Sequence, residues 1–205
     1  MKAVVDLATQ RKWDRAARTY DFMTGFGPDK RWGPYKKELF SHMQGRILFL
    51  ALGTGLDIQF FPPGQDITAI DISPMMVEAA AERVAAYPGE LKALQMDVHA
   101  LDFPDATFDQ AYTSCTFCSV PNPIEGLKSI WRVLKPGGDL RMFEHTGSAY
   151  FPFKQMFHLM NPFSSRCGPN VNRPTVANVG AAGFTIRDVQ NIYLDVVKTI
   201  YAVKA

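Results

Sequence analysis

The chain is 205 residues long, 47% hydrophobic and 20% charged, with a formal net charge of +2. That length suits one globular domain with a substantial core, and no run of Lys and Arg is dense enough to track a nucleic-acid backbone. Three cysteines (Cys115, Cys118, Cys167) are too few for a disulfide scaffold, and no segment approaches the ~18 apolar residues of a membrane span.

The first twenty residues, MKAVVDLATQRKWDRAARTY, carry Asp6 and Asp14 and lack the apolar run of a signal peptide, so a cytoplasmic protein is expected. Residues 3–23 have helical spacing, with Val4, Val5, Ala8, Trp13, Ala16, Ala17 and Tyr20 set among Arg11, Lys12, Arg15 and Arg18. This reads as an amphipathic helix packed on the domain, or alternatively as a cap over a ligand or a helix lying on a membrane surface. GFGPDKRWGP breaks the pattern, and a short helix is expected over Tyr35–Met43.

Strands and helices then alternate. Arg46–Leu52 reads as a buried strand, followed by a loop and a short helix that Pro62-Pro63 must end. Ile67–Ile72 is the second strand, and Ser73-Pro74 caps a helix over Met75–Tyr87. Leu91–Met96 and Phe108–Thr113 are the third and fourth strands. Asn122–Leu134 is a helix stopped by Lys135-Pro136-Gly137-Gly138, which turns into a fifth strand, Asp139–His145. Residues 147–174 show no clean period. Thr175–Ala182 reads as a helix left through Gly183, and Phe184–Ile192 and Asp195–Val203 as two strands whose short connection makes them antiparallel. The expected fold is α/β: a Rossmann-like, seven-stranded, mostly parallel sheet with a C-terminal antiparallel hairpin and helices on both faces.

In an open parallel sheet, ligands bind beyond the carboxyl ends of the strands. After the first strand stands Ala51-Leu52-Gly53-Thr54-Gly55, where backbone must approach a ligand closely. The second ends in Asp71, whose carboxylate can accept two hydrogen bonds from the vicinal hydroxyls of a ribose. Asp97 follows the third strand, Thr113-Ser114-Cys115 the fourth and Glu144-His145 the fifth. Each element alone is weak; their order along alternating strands is specific. A dinucleotide dehydrogenase would carry a third glycine three positions beyond Gly55, where Ile58 stands, so that class falls behind.

LGTG (52–55), AIDISPMM (69–76), MDVHALDFPDATFDQAYTS (96–114), RVLKPGG (132–138) and the closing AGF with its hairpin together resemble the class I S-adenosylmethionine (SAM)-dependent methyltransferases. TYDFM (19–23), FFPPG (60–64), CSV (118–120) and FEH (143–145) narrow this resemblance to small bacterial phospholipid N-methyltransferases and membrane-associated alkyl-thiol methyltransferases. The resemblance implies that Ala51, Leu52, Gly53, Thr54 and Gly55 cradle the methionine and ribose end of SAM. Asp71 would bind the ribose, Ile72 and Met76 the adenine face, Asp97 and Val98 the adenine edge, and Thr113 and Ser114 the methionine part, with Tyr20 as a lid. Phe49 stands where the family usually has an acid and Ala51 where it has glycine. The methyl of Ala51 is tolerable if its φ is negative. Asp57 is the candidate to replace the missing acid, or else it favours the first turn of its helix through the dipole.

Methyl transfer from a sulfonium needs alignment more than proton transfer. His145 is the candidate base, or a histidine that orients a loop; Glu144 and Tyr112 are weaker candidates. Cys115, Cys118 and Cys167 are expected as wall residues and not as a metal site, with a soft thiophilic acceptor such as arsenite as the minor alternative. The expected organisation is a helical cap (1–45), a SAM-binding core (46–146), an acceptor-side insertion (147–174) and a terminal helix with hairpin (175–205). The acceptor is expected to be a small apolar or lipid-like molecule, a phospholipid amine ahead of an alkyl thiol or quinol. Peripheral contact with the inner membrane face would use residues 1–23 and 148–163. A SAM-binding regulatory module without turnover is the alternative in kind, and oligomeric state is left open.

Overall fold

The computed structural model describes residues 6–24, 28–167 and 169–205, and the side chains of 23, 24, 28–30, 166 and 167 are not described. Val4 and Val5 of the expected N-terminal helix therefore lie outside the described residues. The remainder of that helix is two pieces, α1 (Leu7–Ala17) and α2 (Tyr20–Thr24). Asp6 caps α1, its Oδ1 accepting from the amides of Ala8 and Thr9.

The next helix, α3, runs Pro28–Phe40, earlier and longer than the expected Tyr35–Met43, and continues through Pro34. Proline's missing donor should break a helix interior. Here tertiary contact overrides that cost: Trp32 packs at 6.0 Å from the rings of both Phe143 and Tyr193, and Leu39 and Phe40 are buried in the core.

The strands are β1 (Arg46–Leu50), β2 (Asp66–Asp71), β3 (Glu90–Gln95), β4 (Phe108–Ser114), β5 (Leu134–His145), β6 (Thr185–Tyr193) and β7 (Val197–Val203). They form one sheet in the order β3-β2-β1-β4-β5-β7-β6, with β7 antiparallel to both neighbours and the other pairings parallel. Between β1 and β2 lies a 3-10 turn, Leu56–Phe60; the helices α4 (Pro74–Ala85), α5 (Pro123–Val133), α6 (Phe153–Cys167) and α7 (Thr175–Ala181) complete the chain. β5 starts earlier than expected because LKPGG pairs as an irregularity: the register steps from Phe108↔Leu134 to Gln110↔Asp139, so the extra residues bulge where a turn was expected. The largest departure is α6, fifteen residues of helix in a segment whose sequence has no clean period.

Two apolar layers clasp the sheet. Leu48, Leu50, Ile70, Phe108, Leu127, Ile130 and Met142 pack on one face, and Phe40, Ile47, Phe49, Phe61, Tyr112 and Phe143 on the other. From β1 the chain proceeds to β2 and β3 on one side and to β4 on the other, so the crevice of the fold lies at the ends of β1 and β4. Among the described residues no helix is long and apolar enough to cross a membrane.

Candidate active site

At that crevice the strand ends open into a cavity of about 740 Å³, a figure that includes the open space of its mouth. Its base is the turn after β1. Gly53 has φ 58°, and a side chain placed there would meet only the Tyr20 ring, at 3.9 Å. The glycine thus leaves room between the loop and the Tyr20 ring. Gly55 serves packing: a Cβ there would come within 3.0 Å of Ile58 and 3.3 Å of Ala80. Ala51 also has positive φ, 55°, against the negative φ that would make its methyl harmless. It therefore carries roughly 1–2 kcal/mol of left-handed strain.

Asp71 ends β2, buried at the cavity wall. Its Oδ2 accepts from the Gly53 amide at 2.8 Å and its Oδ1 from the Ser73 amide at 2.9 Å, which fixes the carboxylate against the glycine turn. Burial pushes its carboxyl above the usual range, opposed by these two amides. Asp97 follows β3; its Oδ1 contacts the His99 ring at 2.7 Å, and its Oδ2 accepts from the Asp6 amide at 3.2 Å. His99 holds Asp97 low despite burial, and Asp97 in turn raises His99. Ser114, at the end of β4, lines the cavity with its hydroxyl buried and without a partner.

α1 and α2 cover the opening. Thr9 and Trp13 line the cavity from α1, and Tyr20 from α2 stands edge-on to Trp13 with ring centroids 6.3 Å apart. The cover is pinned by acids. Asp14 accepts from the Ser73 hydroxyl and Asp21 from the Thr54 hydroxyl, while Arg83 bridges Asp21 (2.8 Å) and the Thr54 carbonyl (2.7 Å). Burial pushes the Tyr20 phenol far up, so it keeps its proton.

Of the residues expected at the site, Tyr20, Ala51, Gly53, Asp71, Ile72, Met76, Asp97, Val98 and Ser114 line this one cavity. Leu52 is buried in the core, the Thr54 hydroxyl faces Asp21, and Asp57 pairs with Lys36 at 2.7 Å. Thr113 donates to Glu144 Oε1 at 2.7 Å. His145 does not line the cavity; it sits edge-on to Phe157 of α6, centroids 6.0 Å apart, and burial lowers its pKa. This ring packing under α6 is neither the base nor the loop-orienting role expected from sequence. Thr9, Thr116 and Ser119 join the lining without having been singled out for it, and His99 lines it beside Asp97. Cys115 lines it too, open to the cavity although protein encloses it, at φ 52°. Burial pushes its thiol far up, which leaves it a poor nucleophile.

Glu144 lies behind this wall, fully buried. Its Oε1 accepts from Thr113 and from the Thr116 amide, and its Oε2 from the Phe117 amide, which together pin the loop after β4. Burial nonetheless pushes its carboxyl up to about 7.

A sheet of this order, with a glycine turn after β1 and an acid closing β2, defines the chain as a Rossmann-like α/β protein with a nucleotide-type crevice. Residues 48–142 match the family described as methyltransferase domain. The chain is 34% identical over 159 residues to the ubiquinone/menaquinone biosynthesis C-methyltransferase UbiE of Geotalea daltonii, an alignment covering 73% of this chain and 68% of that protein. It is 32% identical over 145 residues to the thiol S-methyltransferase TMT1B of Homo sapiens (60% and 56% covered). It is 36% identical over 103 residues to the phosphatidylethanolamine N-methyltransferase of Cereibacter sphaeroides (49% and 51% covered). A solved SAM-dependent methyltransferase of Thermotoga maritima superposes with TM-score 0.73 at 17% identity, over 95% of this chain and 99% of that one. The chain belongs to the SAM-dependent methyltransferase family, and SAM is its cofactor. The residues present fit SAM: a buried hydroxyl without a partner at Ser114, space above Gly53 and a pinned carboxylate at Asp71.

Proposed function

We propose that this methyltransferase binds SAM between the Gly53 turn, Asp71, Asp97 and Ser114, and methylates an apolar, lipid-borne acceptor, with a phospholipid amine as the favoured one. In this reading Asp71 takes the ribose hydroxyls, Ile72 and Met76 flank the adenine, and Asp97 and Val98 meet its edge. Ser114 takes the methionine part, with Thr113 supporting it through Glu144, and Tyr20 closes the lid. SAM supplies a methyl group already activated on a sulfonium sulfur. The protein's share is therefore alignment and exclusion of water, which the Trp13–Tyr20 cover suits.

One observation carries the acceptor. α6 turns large apolar side chains to solvent: Phe151 just before it is 81% exposed, and Leu159 and Phe163 within it are 77% and 72% exposed. A contiguous exposed apolar face of this kind marks an interaction surface. It adjoins a cationic one, because Lys12 of α1 reaches the Ser165 carbonyl of α6 at 2.6 Å, and Arg11 and Arg15 of α1 and Lys154 of α6 are exposed. Apolar and cationic surface side by side fits an anionic bilayer. The stretch after α6 reaches the cavity wall through Asn170, whose amide donates to the Cys118 carbonyl at 2.8 Å. Arg173 donates to the Val120 carbonyl at 3.0 Å and keeps a buried Nε without a partner, which suits a phosphate headgroup.

Of the relatives above, one is named for ubiquinone/menaquinone biosynthesis and one for phosphatidylethanolamine, in line with this reading, and one for thiols. The test is transfer of a labelled methyl from SAM to phosphatidylethanolamine vesicles, demethylated quinols and alkyl thiols in parallel. Label in the phospholipid amine is the expected result; label confined to quinol would keep the lipid acceptor and reject the headgroup, and label confined to thiol would reject both.

A further inference from the structure

Phe49 stands where the family resemblance implies an acid for the methionine amino group, and its side chain is fully buried beside Phe40 (5.7 Å) and Phe61 (4.9 Å). The charge missing from position 49 is found close by. Lys36 lies one helical turn before Phe40 on the same face of α3, and its Nζ meets Asp57 Oδ1 at 2.7 Å. Both side chains are nearly buried, 11% and 12% exposed. A buried ion pair gives little net stability, because desolvation offsets the attraction. This one joins α3 to the turn two residues past Gly55; neither side chain is itself part of the cavity lining. Tyr20 and Cys115 both line the cavity, and both lie close enough to Asp57 for its charge to act on them; the charge of Lys36 reaches Cys115 as well.

We propose that Lys36 and Asp57 together form the receptor for the amino-acid end of SAM, with Asp57 meeting its ammonium and Lys36 its carboxylate. The inference rests on the SAM site proposed above. The end to be bound is a zwitterion, and a matched pair of opposite charges is its complement. As the two side chains stand, each neutralises the other, so neither is left as a lone buried charge. When they turn outward to a zwitterion, the four charges alternate in sign, each keeps an opposite neighbour, and both new contacts are charge-assisted. A single carboxylate at position 49 could hold only the ammonium. The pair holds both groups and reads the carboxylate as well.

The experiment is calorimetric titration of the full chain with three ligands: S-adenosylhomocysteine, decarboxylated SAM, and 5′-methylthioadenosine, which has no amino-acid end. Wild type should bind the first most tightly. Lys36→Met should bind S-adenosylhomocysteine about 10- to 100-fold more weakly, with decarboxylated SAM and 5′-methylthioadenosine unchanged. Asp57→Asn should weaken both amine-bearing ligands and leave 5′-methylthioadenosine unchanged. Should either single variant lose all three, the neutral double variant decides, since it leaves no buried charge alone: it must keep 5′-methylthioadenosine and lose the preference for the amino-acid end. Equal weakening of all three ligands in the double variant would make the pair a structural clamp and overturn the proposal. So would unchanged S-adenosylhomocysteine affinity in the singles. Wild type binding none of the three would reject the SAM site itself.

Discussion

The Gly53 amide donates to Asp71 Oδ2 at 2.8 Å, tying the turn after β1 to the acid that ends β2. One carboxylate thereby sets the shape of the loop and presents its remaining lone pairs to the cavity. Asp71→Asn keeps one acceptor for these amides but loses the charge. It should weaken S-adenosylhomocysteine and 5′-methylthioadenosine alike, by about tenfold or more, because both carry the ribose. That pattern differs from the one expected for Lys36 and Asp57. Isothermal titration reads it directly, and near-normal affinity for both ligands would show that the ribose lies elsewhere.

Ala51 is the second point at which the loop departs from the pattern that the family resemblance implies. Its φ of 55° costs roughly 1–2 kcal/mol, while glycine would add roughly 0.5–1 kcal/mol of unfolded-state entropy. The strain outweighs the entropy, so Ala51→Gly should stabilise the ligand-free protein by about 0.5–1 kcal/mol. For a chain of this size that is a rise of about 1–4 °C in the melting temperature. A melting temperature at or below that of wild type would contradict the strain.

These two residues also mark how far the sequence can be read. Asp71 was legible because a parallel strand buried on both faces is an unbroken apolar run, and Asp66–Asp71 ends in its only well-placed acid. The sign of φ at Ala51 was not, since it depends on how β1 and β2 are spaced across the turn. α6 was missed because its apolar residues face solvent as well as protein, which erases the period that burial on one side creates. The start of α3 was missed because local breakers, Gly33 and Pro34, were overruled by contacts of Trp32 with β5 and β6. Lys36 had no linear signal at all: its partner is twenty-one residues away on another element.

Glu144 makes stability depend on pH. Its folded pKa, about 7, lies above the ordinary 4.5, so between these values the folded chain holds a proton that the unfolded chain has lost. Stability from this group is complete below about 4.5 and falls as pH rises through 7, by on the order of 3 kcal/mol. Glu144→Gln should remove that slope. At pH 4.5, where wild type has lost nothing from this group, the variant should be less stable by roughly 1–3 kcal/mol, because its amide faces the Thr116 and Phe117 donors, and that deficit should vanish or reverse by pH 8. Urea titrations from pH 4.5 to 8 on both proteins test this, and an unchanged slope in the variant would assign the pH dependence to other groups.

The apolar face of α6 supplies the last prediction. Leu159 and Phe163 are largely exposed, so replacing them with Asp leaves the core intact and should change neither melting temperature nor affinity for S-adenosylhomocysteine. On a bilayer the same change removes two apolar anchors and adds two repelled charges. Co-sedimentation with vesicles containing anionic phospholipid should therefore fall by about tenfold or more for Leu159→Asp/Phe163→Asp. Wild-type binding should weaken as salt is raised, since Arg11, Arg15 and Lys154 supply the attraction. Replacing those three by Gln should reduce binding to anionic vesicles while leaving the weaker binding to neutral ones. If the α6 variant pellets as well as wild type, the helix does not face the lipid, and the acceptor must reach the cavity from solution.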